Sequence, residues 1–253
     1  MLFSFINFIL IIGVGIMSIL INFHLKDNTY MFYKLIKYSI QLFKNLLKEI
    51  SFVREMIIVN SPYYNNFYEK NKYQYYSEYS TKCYEYYLDS TYIISNLTSI
   101  INTLNKRQRS FLFDKTVECF ILATLNISEQ EYKPKSYEIS IFSAYRELNS
   151  ALYHISGLNL NEIYTFNENV YYFIKNGMSN LLISSENQIK SLTDEFYNII
   201  RNGYMIIVIC FVVLILVFTI CFFIFNLFYS KVEESKAIYQ FFMKLEENLL
   251  FYL

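Results

Sequence analysis

The run NGYMIIVICFVVLILVFTICFFIFNLFYS, residues 202–230, carries no charged side chain. Within it Met205 to Phe228 is 24 residues long, enough at about 1.5 Å rise per residue to cross a hydrocarbon core of about 30 Å. Nineteen of the 24 are Leu, Ile, Val or Phe, so at about 0.3 kcal/mol each insertion is favoured by roughly 6 kcal/mol. The stretch is predicted to be a transmembrane helix. Upstream, Leu182, Ile189, Leu192, Phe196 and Ile199 recur at three- and four-residue steps, with Ser185 in the missing place. The same steps carried through the span reach Ile238, Phe241, Leu245 and Tyr252, the pattern of a coiled coil. One helix is therefore expected to join the two sides of the membrane.

Composition agrees with membrane insertion. The chain of 253 residues is 54% hydrophobic and 20% aromatic, too apolar for an ordinary soluble domain. Its net charge is zero and no clustered Lys/Arg face occurs, which argues against nucleic acid as a partner. Five glycines and two prolines leave little of the punctuation that strands and hairpins need, so long helices are the default. The abundance of Tyr, Phe, Ile, Asn and Lys without Trp is equally the mark of a nucleotide-biased genome.

At the other end, Leu2 to Phe23 is uncharged and again long enough to span. It lacks a basic n-region and a small-x-small cleavage site, so a retained signal anchor is expected rather than a cleaved signal peptide. Gly13, Gly15 and Ser18 form a small-residue patch that misses small-xxx-small spacing.

Between the spans, Leu35, Leu42, Leu46, Ile50, Val53 and Ile57 predict a helix over about 30–59, ended by Pro62. Arg54 beside this stripe either snorkels to water or pairs with an anion. Tyr63 to Tyr92 packs eleven tyrosines into thirty residues, and Tyr68, Tyr75, Tyr79 and Tyr86 share helical spacing with Cys83. That is the pattern of a bundle face with hydroxyls at solvent, or of an aromatic surface for sugars or cations. The helix is expected to continue through Ile93, Leu97, Ile100 and Leu104. Phe111 to Pro134 reads equally as a short helix or an irregular flap. Ser136 is the expected N-cap of a helix with the stripe Ile141, Tyr145, Leu148, Leu152 and Ile155, closed by Gly157. Val170 and Ile174 then face inward, and Asn176-Gly177 is a candidate kink.

These readings give an all-α fold: two transmembrane helices flanking a long-helix bundle. The expected segments are 1–23 (first span), 24–203 (bundle), 204–229 (second span) and 230–253 (juxtamembrane helix). Two sequons, at Asn96 and Asn126, are candidate glycosylation sites if the bundle lies outside. Cys83 and Cys119 are either a disulfide, which an exterior location favours, or two buried thiols, while Cys210 and Cys221 lie in the second span. The bundle is placed outside the plasma membrane with both termini cytosolic; the opposite reading makes it a cytosolic membrane-tethering bundle.

No phosphate loop, Cys-x-x-Cys or His-x-x-x-His occurs, and His24 and His154 have no ligand pattern around them. No enzyme, metal or cofactor is predicted. The pairs Asp194-Glu195, Glu233-Glu234 and Glu246-Glu247 read as solvated helix faces. Beyond the span, Ile238, Phe241, Phe242, Leu245, Leu249 and Tyr252 form an apolar face that needs a partner helix or a second copy. Termination in apolar sequence suggests a piece of something longer, or docking onto another subunit.

The stretch YYFIKNGMSNLL, residues 171–182, the helix after it, the span and KAIYQFFMKL, residues 236–245, together resemble the membrane portion of receptor-type adenylate and guanylate cyclases of flagellate, trichomonad-like protists. The resemblance covers mainly the second half. It implies a helical outer region feeding a juxtamembrane helix, without the cyclase module, so no catalytic or metal residue carries over. The layout also resembles bacterial chemoreceptor input halves by architecture alone. The expected function is a receptor-like module coupling an extracellular bundle to a cytosolic partner or an output domain. The alternative is a structural or adhesive surface membrane protein.

Overall fold

The computed structural model describes residues 2–61, 71–126, 131–164 and 167–250, excepting the side chains of 2–10, Leu20, His24, 123–133 and 245–250. The chain divides into two compact units, Met1–Asp27 with Asn198–Leu253, and Asn28–Tyr197. In order, the elements are α1 (Leu2–Asn60), α2 (Lys72–Ile101), α3 (Lys106–Phe113), β1 (Thr116–Asn126), β2 (Glu131–Ser140), α4 (Ile141–Ser156), a 3-10 turn (Leu160–Glu162), α5 (Glu168–Lys175), a π-helical turn (Asn176–Leu181) and α6 (Leu182–Leu250). The fold is dominantly helical, as the scarcity of Gly and Pro dictates.

In the unit Asn28–Tyr197, α1 buries Phe32, Leu35, Ser39, Leu42, Leu46, Glu49, Ile50, Val53, Met56 and Val59. Apart from the adjacent pair Glu49 and Ile50 their steps are of three or four residues, the seam of a helix packed lengthwise on its neighbours. The predicted Ile57 is only half-buried, its inward place taken by Met56, and Arg54 is exposed. On α2, Tyr76 and Cys83 are buried, whereas Tyr75 is exposed and Tyr79 and Tyr86 are half-buried against Phe52. Tyr76 Oη donates to the Leu158 carbonyl at 2.7 Å, so its polar end is satisfied inside. Tyr68 and Pro62 lie outside the described residues. On α4 the whole predicted stripe, Ile141, Tyr145, Leu148, Leu152 and Ile155, is buried, and Gly157 is the C-cap.

Three corrections concern the middle of the chain. First, Phe111 to Pro134 is neither a flap nor a helix beyond Phe113. β1 and β2 form an antiparallel hairpin in register from Thr116 opposite Ser140. Val117 and Cys119 are buried while Thr116 and Glu118 are exposed, an alternation of period two that overrides the weak helical spacing. Second, the N-cap of α4 is Ser140, whose Oγ accepts from Ser143 N at 3.2 Å; Ser136 and Glu138 lie on β2. Third, Asn176-Gly177 is not a simple kink but the start of one π-helical turn.

The buried side of α6 also departs from expectation. Ser185, Gln188, Leu192 and Glu195 are buried, while Leu182, Ile189, Phe196 and Ile199 are half-buried. Polar residues turn inward because α3, Lys115 just beyond it and Tyr145 of α4 supply partners. Gln188 Nε2 donates to the Phe111 carbonyl, Lys115 Nζ donates to Ser191 Oγ at 2.7 Å, and Arg107 pairs with Glu195. Arg107 Nη2 lies 2.7 Å from Oε1 and 2.8 Å from Oε2, the latter with hydrogen-bond geometry. Glu195 is therefore not the solvated residue its sequence suggests, although Asp194 beside it is exposed.

One helical run among the described residues, Glu168–Lys244, is long and apolar enough to cross a membrane, and no residue of its most apolar window is buried. Leu2 to Phe23 is helical within α1, but the side chains of 2–10 lie outside the described residues, so one span rather than two meets the test of length and composition. Asn202-Gly203 does not interrupt α6. Gly203 is buried, and a Cβ there would stand 2.7 Å from both Cδ atoms of Leu25.

Candidate functional site

The hairpin, α4 and α5 converge on one carboxylate. Glu147 projects from the exposed side of α4, four residues before the buried Ala151 and one before the buried Leu148. Tyr137 on β2 and Tyr172 on α5 both donate their hydroxyls to Glu147 Oε2, Tyr172 at 2.8 Å, and the two phenol oxygens are 3.3 Å apart. A carboxylate gripped by two donors from two other elements is held in one orientation, which is what a binding group needs. Burial, reinforced by hydrogen bonding to Glu147, pushes the Tyr137 phenol up to about 12. Burial likewise raises Tyr172, with its hydrogen bonds to Tyr137 and Glu147 acting in the same direction. Both phenols are thus donors at any physiological pH. Beneath them, burial pushes the Cys119 thiol up to about 11, keeping it protonated and unreactive.

Glu147 also lines an open groove of about 350 Å³ with Ser143, Arg146 and Ser150. These four stand at three- and four-residue steps on one face of α4. The groove offers a carboxylate, a guanidinium and two hydroxyls, a set suited to a small polar ligand carrying charges of both signs.

The π-helical turn ties this region to its surroundings. Asn176 Oδ1 accepts from Phe120 N at 2.7 Å, and Asn176 Nδ2 donates to the Phe120 carbonyl at 2.9 Å. The side chain thereby imitates a third strand at the edge of β1. One turn on, Asn180 Nδ2 donates to the Glu118 carbonyl at 2.7 Å. Residues 118 and 120 lie two apart, so their outward backbone groups fall on one edge of the hairpin, in reach of a pair spaced four apart on a helix.

Sequence reasoning singled out none of Tyr137, Glu147, Tyr172, Asn176 or Asn180 as a site residue. Their partners are distant in sequence, and only the 118/120 against 176/180 spacing held a signal. Of the residues it did single out, Cys83 and Cys119 are two buried free thiols, not a bridge. Cys83 Sγ packs 3.6 Å from Met56 Sδ, whereas Cys119 lies beside Tyr172. Asn96 is half-buried on α2. Asn126 ends β1, and the remainder of its sequon lies outside the described residues. Ile238, Phe241 and Phe242 are exposed on α6, while the side chains of Leu245 and Leu249, and all of Tyr252, lie outside the described residues. His154 is exposed against the Tyr153 ring, and no metal-binding group of His, Cys, Asp and Glu occurs among the described residues. No family model, curated protein or solved structure matches the chain.

Proposed function

We propose that the chain is a receptor-like, membrane-anchored sensory module. The observation that carries this reading is the continuity of α6. One helix runs from Leu182 to Leu250, holding buried Ser185, Gln188, Leu192 and Glu195 near its start and the exposed apolar run Ile206 to Phe228 further on. An exposed apolar helix of that length is stable in lipid and not in water. With Leu2 to Phe23 as a second span both termini share one side, and in this reading that side is the cytosol and the bundle lies outside the plasma membrane. A ligand in the groove beside Glu147 competes with Tyr172 for the carboxylate, and Tyr172 sits on α5, one π-helical turn from α6. The exposed Ile238 and Phe241 pass the bias to a cytosolic partner helix, a second copy or an output domain. The resemblance to the membrane portion of protist nucleotide cyclases fits this role.

The test fuses a kinase or cyclase reporter after residue 253 and inserts one, two or three residues between Asn202 and Gly203. Each insertion turns the following helix by about 100°, so reporter output is expected to vary with insertion length, and Glu147→Gln to shift its set-point. Output indifferent to all three insertions removes the coupling. A second reading, a non-signalling adhesive surface protein, draws on the exposed rings of Tyr73, Tyr84, Tyr92 and Tyr153 on α2 and α4. Replacing residues 231–253 then leaves cell-surface binding intact.

A further inference from the structure

The buried seam of α1 holds a carboxylate beside its apolar stripe. Glu49 adjoins the buried Ile50, between Leu46 and Val53, and is 4% exposed. Ser90 Oγ on α2 donates to Glu49 Oε1 at 2.8 Å and accepts from Asn45 Nδ2 at 3.1 Å. From α2 comes the Cys83 thiol and from α4 the Tyr145 phenol, the titratable groups that feel the Glu49 charge. Burial pushes Cys83 up to about 12 and raises Tyr145 as well, so both are neutral when Glu49 titrates. Tyr145 Oη is turned to Ser185 Oγ of α6 at 2.8 Å. The π-helical turn brings Gly177 against Leu46 and Ile50, with no ionisable group. Neither ion pair recorded among the described residues, Lys82–Glu78 or Arg107–Glu195, includes Glu49. One hydroxyl is poor compensation for a charge removed from water, so the neutral acid is the form this core accommodates.

We propose that Glu49 is a proton-operated lock: protonated, it packs as a neutral acid where α1, α2 and α4 meet, and ionised, it loosens their packing. This goes beyond the sensory reading and stands without it, since the bundle responds to pH whether or not α6 conveys the response. Burial raises the Glu49 carboxyl to about 8, with the Ser90 hydrogen bond pulling the other way. The folded value lies above the ordinary 4.5 of the unfolded chain, so the folded state binds the extra proton. Its stabilising effect is complete below about pH 4.5, fades as pH rises and is spent above about pH 8.

The experiment unfolds the full chain, in detergent micelles, with urea at pH 6, 7, 8 and 9, for the wild type and Glu49→Gln. In the wild type the folding equilibrium constant is expected to fall by up to about tenfold per pH unit between pH 6 and 8. Glu49→Gln, which keeps the shape and cannot ionise, is expected to stay level and to exceed the wild type at pH 9. Parallel curves for the two proteins overturn the proposal, as does a level wild type. Should Glu49→Gln not fold, infrared difference spectra of the wild type decide: a neutral carboxylic acid carbonyl band present at pH 6 and gone at pH 9 supports the lock, and a spectrum without that change overturns it.

Discussion

Two glycines mark how closely neighbouring residues approach, and they predict opposite outcomes. At Gly177 an added methyl would find Leu46, Leu148 and Ile50 at 3.5 to 3.7 Å, ordinary contact distance. At Gly203 it would meet Leu25 at 2.7 Å, so the leucine has to move. Gly177→Ala is therefore expected to hold or raise stability by up to about 1 kcal/mol, because alanine loses less backbone freedom on folding. Gly203→Val is expected to cost about 1–3 kcal/mol through overpacking, and Leu25→Ala in the same chain to recover part of it. Thermal unfolding of the single and double variants in detergent checks both, and absence of recovery in the double variant rejects the Leu25 contact as the cause. Neither contact is written in the neighbouring sequence. Asn176-Gly177 and Asn202-Gly203 are the same dipeptide, and only their surroundings tell them apart.

At the level of elements, the hairpin is held from outside as much as by its own ladder. A two-stranded ribbon is marginal alone, and β1 gains a partner in the side chain of Asn176, which pairs with both backbone groups of Phe120. Asn176→Ala strips two hydrogen bonds from a position that is 1% exposed and is expected to cost about 2 kcal/mol. Amide exchange at Phe120 then accelerates before that of the buried α4 stripe. Uniform acceleration across both would mean that the hairpin does not open by itself. Asn180→Ala, with one bond to lose, costs less. Sequence reasoning left this stretch undecided between a helix and a flap because Phe113, Val117, Phe120 and Thr124 are spaced as a weak helix. The strands follow instead from Val117 and Cys119 facing inward together, a pattern two residues long that has no weight until a core exists to receive it.

For the whole molecule, Ile206 to Phe228 exposes an apolar surface long enough to cross a membrane. Alkaline carbonate is expected to leave the chain in the membrane pellet, and its recovery in the supernatant would remove the span. This much was legible from residues 202–230 alone, because a charge-free run of that length has few alternatives to lipid. The helical stripes of α1 and α4 were legible for a related reason: a period of 3.6 is a local property, and Ile141, Tyr145, Leu148, Leu152 and Ile155 repeat it without interruption. The polar interior was not. Glu49, Gln188 and Glu195 occupy inward places because Ser90, Phe111 and Arg107 meet them there. Those partners lie 41, 77 and 88 residues away in the chain, and periodicity treats any polar residue as outward. Sequence by itself thus determined the helical class, the helix long and apolar enough to cross a membrane and the ends of α4's apolar stripe. Tertiary structure alone decided the hairpin, the π-helical turn and the meeting of Tyr137, Glu147 and Tyr172, because each depends on a hydrogen-bond partner that only folding brings within 3 Å or so.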